Sequence, residues 1–260
     1  MSETDIILAL IVFLFGAVIG SFLNVCIHRI PRGLSIASPP SRCPRCERRI
    51  PFYDNIPIIS YILLKGRCRS CAEPFSALYP FVEASTGVFA VLLFLKFSLT
   101  PEFFVYSVFV ASLIVITFID LELQIIPDVI SLPGIVVGFA ASFFLISPGV
   151  WGSIIGIGLG AGILLGIAAA YMLVAGKEGM GMGDVKMLAM IGAFLGWQGV
   201  ILTLLAGSLF GALIGGGLMY FKGKGSGHAI PFGPFLALGA LLHLFLGPEI
   251  ISWYIDMVVG

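Results

Sequence analysis

The chain alternates between long apolar runs and short polar connections. Eight runs are candidate membrane spans, because a span needs about 20 predominantly apolar residues. They are Ile6–Ile27, Phe81–Phe97, Phe103–Ile119, Val129–Ile146, Ile154–Val174, Met187–Trp197, Val200–Phe221 and Pro231–Leu246. Since Met187–Trp197 is too short to cross about 30 Å of hydrocarbon, we expect part of the preceding loop or a thinned bilayer to complete it. The pattern predicts an all-α polytopic membrane protein with about eight transmembrane helices.

Composition supports a membrane environment and excludes some functions. Of 260 residues, 59% are hydrophobic and 11% are charged, whereas soluble domains carry about 25% charged residues. The net charge is zero, so bulk electrostatics indicates no nucleic-acid partner. The first run lacks a basic leader and is long enough to span, so we interpret it as a retained helix and not as a signal peptide.

Basic residues predict the orientation. Nine of the fourteen Lys and Arg residues lie between Arg29 and Arg69, and such clusters mark the cytoplasmic side. Alternating spans then place four further lysines inside and only Lys96 outside, with both termini outside. The four inside are Lys177, Lys186, Lys222 and Lys224. Seven crossings instead of eight would move only the last tail to the cytoplasm, so charge alone leaves that alternative open.

Four of the five cysteines form two close pairs in the polar segment His28–Pro80. The pairs are Cys43–Cys46 and Cys68–Cys71, with 21 residues between them. Two such knuckles suit a closed, tetrahedral, structural zinc site. Two disulfides are the alternative, which a reducing cytoplasm disfavours. We therefore predict a first helix over 1–27, a cytoplasmic zinc-knuckle domain over 28–80 and a transmembrane domain over 81–260, with Cys26 as a buried apolar residue.

A glycine-rich motif, Gly181-Met-Gly183-Asp184-Val-Lys186, precedes the short apolar run. Irregular backbone at membrane depth is tolerated where it lines a cavity, and the glycines would let a substrate strand approach closely. The alternative is a cytoplasmic turn in which Asp184 caps a helix that begins at Met187. Lys186 could tune Asp184, meet an acidic substrate residue or act as a positive-inside anchor.

A third motif ends the third apolar run, with Asp120 at the membrane edge, Glu122 facing solvent and Asp128 after Pro127 as a helix cap. An aspartyl protease needs two adjacent carboxylates, one ionised to accept a proton from water and one protonated to polarise the scissile carbonyl. The predicted topology puts Asp120 and Asp184 on the same cytoplasmic side. That placement is necessary for such a pair and does not by itself establish one.

The ordered set of motifs resembles the bacterial type IV prepilin peptidase family. The matching strings are Gly20-Ser-Phe-Leu-Asn24-Val with His28-Arg-Ile-Pro31, the two CxxC knuckles, Asn55-Ile-Pro-Ile-Ile-Ser60-Tyr61, Tyr79-Pro-Phe-Val-Glu83, Asp120 to Asp128, Gly181 to Lys186, and Ile230-Pro-Phe-Gly-Pro234. They run in order across nearly the whole chain, which makes the resemblance specific. The GxGD string alone also resembles presenilin-type proteases. The family usually has Arg before Tyr-Pro, where this chain has Leu78.

The resemblance implies a GxGD-type aspartyl protease of the bacterial inner membrane with its active site at the cytoplasmic face. By that resemblance Asp120 and Asp184 would be catalytic. From the residues themselves we predict that Gly181 and Gly183 shape the approach of substrate and that Lys186 binds it. Such enzymes clip a basic leader from prepilins or pseudopilins after a glycine. They commonly methylate the new N-terminus with S-adenosylmethionine, and the cysteine loop is implied in that activity or in substrate docking.

Two other classes of protein share some of these features. A transporter would also combine glycine-rich broken helices with membrane carboxylates, but it predicts matched halves, and the sequence shows no repeat. A zinc-knuckle adaptor anchored by spans would not need two aspartates in separate loops. His28, His228 and His243 have no metal-ligand spacing and are interpreted as local polar or packing residues.

Overall fold

The computed structural model describes residues 3–145, 147–176, 181–222 and 231–259. Within these ranges no strand forms, and the only extended pairing is two isolated β-bridges. Eight α-helices follow in chain order: α1 Glu3–Arg29, α2 Ile59–Leu63, α3 Leu78–Phe97, α4 Pro101–Leu123, α5 Asp128–Ala141, α6 Gly149–Ala175, α7 Met182–Lys222 and α8 Gly233–Val259. Two short 3₁₀ helices cover Ile30–Arg32 and Phe52–Asn55. The all-α prediction is confirmed for these residues.

Six of these helices, all except α2 and α5, are long and apolar enough to cross a membrane in the described part of the chain. This is the pattern of a multi-pass membrane protein. Helix α5 is a shorter apolar helix, and the prediction of eight spans remains a prediction. Of the residues used to predict orientation and packing, Lys177, Lys224 and His228 lie outside the described residues, as do Ile146 and Ile230 at the ends of predicted segments.

Helix α7 differs from the predicted pair of spans 187–197 and 200–221. It begins at Met182 and is interrupted at Gly196, where the backbone has φ 70° and ψ −174°. That positive φ suits glycine because it has no Cβ. Pro148 also packs closely against Gly196, and a Cβ on Gly196 would lie 2.7 Å from the Cβ of Pro148. The helix that contains the predicted run 187–197 thus begins five residues earlier than expected, at Met182.

The described chain divides into two compact units, Met1–Val115 and Ile116–Gly260. In the first unit, α1 packs antiparallel against α3 with very close backbones. A Cβ at Gly16 would lie 2.9 Å from Gly87 Cα, and one at Gly20 would lie 2.7 Å from Glu83 Cα. Small residues of this kind let helices pack in lipid, where apolar burial provides no driving force between them. The predicted domain limits at residues 27 and 80 stay a prediction.

In the second unit, the first half of α7 is the buried centre. Its side chains at Met187, Leu188, Met190 and Ile191 are fully buried. Helix α6 packs on it through Gly156 and Gly160, helix α5 through Gly134 and Gly138, and the second half of α7 meets α8 through Gly207 and Gly239. By contrast, a Cβ at Gly158 or Gly162 would meet nothing within 4 Å. The glycines of α6 thus separate into a packing face and an open face.

Candidate active site and metal centre

Asp120 lies in the last turn of α4 and is only 5% exposed. Its Oδ2 accepts a hydrogen bond of 3.0 Å from the backbone N–H of Gly233, the first residue of α8. The first N–H groups of a helix have no partner within the helix and carry a partial positive charge, so they suit a carboxylate. A Cβ on Gly233 would lie 2.7 Å from Oδ2, so any larger residue here would displace the carboxylate or the start of α8.

Asp184 lies in the first turn of α7, and its N–H donates to the carbonyl of Gly181 over 3.3 Å. The alternative in which Asp184 caps a helix beginning at Met187 is therefore wrong, because the helix begins at Met182. The expected irregular backbone is also limited to Gly181, since Gly183 is helical. A Cβ on Gly183 would lie 2.9 Å from Ile126 Cβ, so this glycine serves the packing of α7.

Both aspartates belong to the second unit, and each lies beside a glycine that faces the Ile126 side chain. The Ile126 side chain lies between the residues that flank the two aspartates. It packs against Gly183 beside Asp184, and its Cδ1 would be 3.4 Å from a Cβ on Gly233 beside Asp120. Two adjacent carboxyl groups cannot both ionise cheaply, so such a pair can share one proton. The arrangement is chemically suited to activating a water molecule against a carbonyl.

The charged residues near the two aspartates have partners or surroundings of their own. Lys186 Nζ contacts both carboxylate oxygens of Asp128 at 2.7 and 2.8 Å. The interpretation of Asp128 as a helix cap is wrong, because Pro127 holds the cap position and no side-chain cap bond forms. The carboxylate instead joins the start of α5 to the start of α7. Glu122 is exposed, as expected.

The four paired cysteines converge in the first unit. Their sulfur atoms all lie within 4.8 Å of one another, with 3.7 Å between Cys43 and Cys71 and 4.0 Å between Cys46 and Cys68. Tetrahedral zinc with Zn–S bonds of about 2.3 Å requires sulfurs about 3.8 Å apart, so the cluster fits such an ion. All are free thiols, and the distances far exceed a disulfide bond of about 2.05 Å.

The two knuckles repeat one local fold. In each, the N–H of the first cysteine bonds to the carbonyl five residues later, Arg48 for Cys43 and Glu73 for Cys68. The residue after the second cysteine, Glu47 or Ala72, has φ 57° in both. A hydrogen bond from the Cys46 backbone chiefly lowers the pKa of Cys43 to about 7, which favours the thiolate that binds metals. The sequence showed the spacing and not the repeated turn.

Comparisons with known proteins agree on one family. A model of the bacterial peptidase A24 N-terminal domain matches residues 14–97, and a model of the type IV leader peptidase family matches residues 107–216. A prepilin leader peptidase/N-methyltransferase of Aeromonas salmonicida is 36% identical over 280 residues, covering 96% of this chain and 94% of the relative. The chain belongs to the type IV leader peptidase family. The resemblance drawn from the motifs is therefore confirmed.

Other relatives of the same description support that membership. The Pseudomonas aeruginosa protein is 35% identical over 266 residues, covering 94% of this chain and 92% of the relative. The Legionella pneumophila protein is 35% identical over 275 residues, covering 95% and 94%. No solved structure matches the chain.

In this type IV leader peptidase, several motif residues that had no assigned role meet in the first unit. Asn24 Nδ2 donates to the carbonyl of Tyr79 over 3.1 Å. Glu83 is 8% exposed, and its Oε2 accepts the N–H of Ile58 over 2.8 Å. The strings around Asn24, Ile58 and Glu83 were visible as separate motifs. Their contact was not, because no spacing rule links positions so distant in sequence.

A second link joins the metal centre to the same region. Arg69, between Cys68 and Cys71, donates from Nε and Nη2 to the carboxylate of Asp54 over 2.6 to 3.0 Å. Its hydrogen bonds hold the pKa of Asp54 below the usual value. Between these contacts is a cavity of about 780 Å³, lined among others by Asn24, Arg29, Ile58, Tyr61, Arg67 and Glu83.

Proposed function

We propose that this protein is a membrane aspartyl peptidase that removes the basic leader of type IV prepilins or pseudopilins and then methylates the new N-terminus. The proposal is supported by the positions of Asp120 at the end of α4 and Asp184 at the start of α7, on either side of Ile126, with Gly233 N–H bonded to Asp120. The names of the related proteins support both activities. Cleavage would occur after a glycine, at the cytoplasmic face of the bacterial inner membrane.

The proposed chemistry assigns one shared proton to the pair. The ionised aspartate accepts a proton from a water molecule while the protonated one polarises the scissile carbonyl. The bilayer edge is where a substrate with a basic leader and an apolar helix presents its cleavage site. Its helical carbonyls are already hydrogen-bonded, so the helix must unwind there, and a glycine makes unwinding easier by about 1 kcal/mol relative to alanine.

The two glycines of the motif have different relations to that substrate. Gly181 is exposed, and a Cβ on it would lie 3.8 Å from Asp184 Oδ2. It leaves room beside the carboxylate for an extended strand. Gly183 faces Ile126 and supports the helix, and Lys186 is paired with Asp128. Of the three residues predicted to contact substrate, Gly181 has the geometry that best supports this role.

Methylation needs a site of its own, and the first unit offers one. Its cavity of about 780 Å³ lies within the range of about 300–1,000 Å³ typical of small-molecule sites. The Glu83 carboxylate would complement the positive charge of S-adenosylmethionine, and Arg29 and Arg67 line the same space. Structural zinc on Cys43, Cys46, Cys68 and Cys71 would hold the loop that forms the cavity wall. Such an ion would contribute folding free energy to this loop.

Mass spectrometry of a candidate prepilin tests both activities together. Purified protein with S-adenosylmethionine should shorten the substrate after a glycine and add one methyl group to the new N-terminus. Asp120→Asn and Asp184→Asn should each abolish cleavage, and the double variant should be no worse, since the carboxylates act as a unit. Glu122→Gln, an exposed neighbour, is the matched control and should cleave normally.

Two results would refute the assignment. Normal cleavage by either folded aspartate variant would remove that residue from the chemistry. Absence of any cleavage by the parent protein on authentic prepilins would favour the adaptor or transporter interpretation.

A further inference from the structure

The polar segment between α1 and α3 contains an apolar stretch that faces outward. Residues 55–64 carry no charge, and the 3₁₀ helix Phe52–Asn55 is followed closely by α2, Ile59–Leu63. Phe52 is 88% exposed, Ile62 67% and Leu63 75%. Several strongly exposed apolar side chains within one short stretch of chain mark an interaction surface. A run of this length is too short to span a bilayer and is typical of interfacial segments.

This surface is hydrogen-bonded to α3 at a point inside the helix, five residues after its first residue. The Ile58 N–H donates to Glu83, and Glu83 lies five residues beyond Leu78, where α3 and the candidate span begin. At 1.5 Å per residue that is about 7 Å along the helix axis. Ile58 has φ 62°, which is unfavourable for a β-branched residue. The strained backbone is retained where it places this N–H on the carboxylate.

Several polar groups of the stretch are hydrogen-bonded or paired within the protein, which suits an apolar environment. The Ser60 hydroxyl donates to Tyr53 O over 2.9 Å and accepts the N–H of Ile56 over 3.1 Å. The one charged residue in Phe52–Leu64, Asp54, is paired with Arg69. These polar groups and this charge thus have partners within the protein, as entry into the lipid boundary requires.

We propose that Phe52–Leu64 lies in the interfacial layer of the bilayer, with Phe52, Ile62 and Leu63 in contact with lipid. The attachment to α3 makes it continuous with the membrane span, and Lys65 directly follows it, as basic residues do beside phosphate headgroups. The segment is an interfacial anchor that holds the cysteine knuckles at the membrane surface through Arg69. The proposal does not depend on the peptidase activity.

Tryptophan fluorescence in lipid nanodiscs tests this placement in the full chain. Trp151, Trp197 and Trp253 are all exposed and are replaced by phenylalanine. Single tryptophans are then introduced as Phe52→Trp and Ile62→Trp. The matched control is Arg45→Trp, at a side chain that is 72% exposed on the first knuckle. The probe is phosphatidylcholine brominated near the top of its acyl chains.

We expect bromolipid to quench the two test positions about twofold or more relative to Arg45→Trp, because interfacial helices bury their apolar face about 5–10 Å into this layer. Metal analysis of each variant checks that the knuckles are folded, and Leu63→Trp replaces any variant that loses its metal. Blue-shifted emission without quenching would mean that protein covers the face and would overturn the proposal. Red-shifted emission without quenching would mean water and would overturn it equally.

Discussion

Replacing Gly233 with alanine should slow cleavage while the protein stays folded. The added Cβ would lie 2.7 Å from Asp120 Oδ2 and 3.2 Å from its Cγ. Since ordinary van der Waals contacts begin near 3.4 Å, the carboxylate or the start of α8 must move by about 0.7 Å. The backbone of Gly233 is not in the left-handed region, so alanine adds no conformational strain of its own.

The size of the effect follows from the bond that is displaced. A hydrogen bond to a charged group contributes about 1.5–3 kcal/mol, and about 1.4 kcal/mol corresponds to a tenfold change in rate. We therefore expect kcat to fall by about 10–100-fold, which agrees with the cost of displacing a catalytic group by a fraction of an ångström to 1 Å. KM should change little, because the hydrogen bond of Gly233 is made to the aspartate.

Single-turnover cleavage of a purified prepilin measures this rate, with thermal unfolding in detergent as the check on folding. Gly158→Ala is the matched control, because a Cβ there meets nothing within 4 Å, and it should cleave at the parent rate. Parent-rate cleavage by Gly233→Ala would refute the role of the Gly233–Asp120 hydrogen bond. A parallel loss of thermal stability would show that the variant acts through folding instead.

Three further predictions concern the surroundings of the site. Lys186→Gln or Asp128→Asn should lower the initial cleavage rate about two- to fivefold, since exposed ion pairs contribute about 0.2–1 kcal/mol. Exchanging the two charges in a double variant should restore the rate. If the rate does not recover, the ion pair does not position the start of α7. Cys71→Ser should lower bound zinc and methylation before cleavage, by metal analysis and mass spectrometry; zinc-free, fully methylating protein would contradict this. Gly156→Ala should lower the unfolding temperature and Gly158→Ala should not; equal shifts would refute the packing argument.

Sequence alone could single out carboxylates at the membrane edge but could not rank them. Asp120, Glu122 and Asp128 lie within nine residues of one another, and all end or follow the same apolar run. The fold separates them by their partners. Asp120 is buried against Gly233, Glu122 is exposed, and Asp128 is paired with Lys186. Those partners lie 113 and 58 residues away along the chain, beyond the reach of helix-periodicity rules.

The start of α7 shows how tertiary packing overrides local propensity. Two glycines within three residues predict irregular backbone, because glycine is a poor helix former by about 1 kcal/mol relative to alanine. Yet the helix begins at Met182 and includes Gly183. The missing side chain lets α7 approach Ile126, so close packing stabilises a helix that propensity disfavours. The same residue type breaks α7 at Gly196, where Pro148 takes the space.

The cysteine knuckles line part of the cavity and are linked to the rest of its wall by a chain of polar contacts. Arg69 lies between Cys68 and Cys71 in the sequence, and it binds Asp54. Asp54 begins the short stretch that ends at Ile58. Ile58 in turn binds Glu83 in α3. An unfolded knuckle would release Arg69, free the charge of Asp54 and loosen the contact that shapes the cavity wall. Loss of metal should therefore disturb the cavity of the first unit before it disturbs Asp120 and Asp184, whose contacts lie within the second unit.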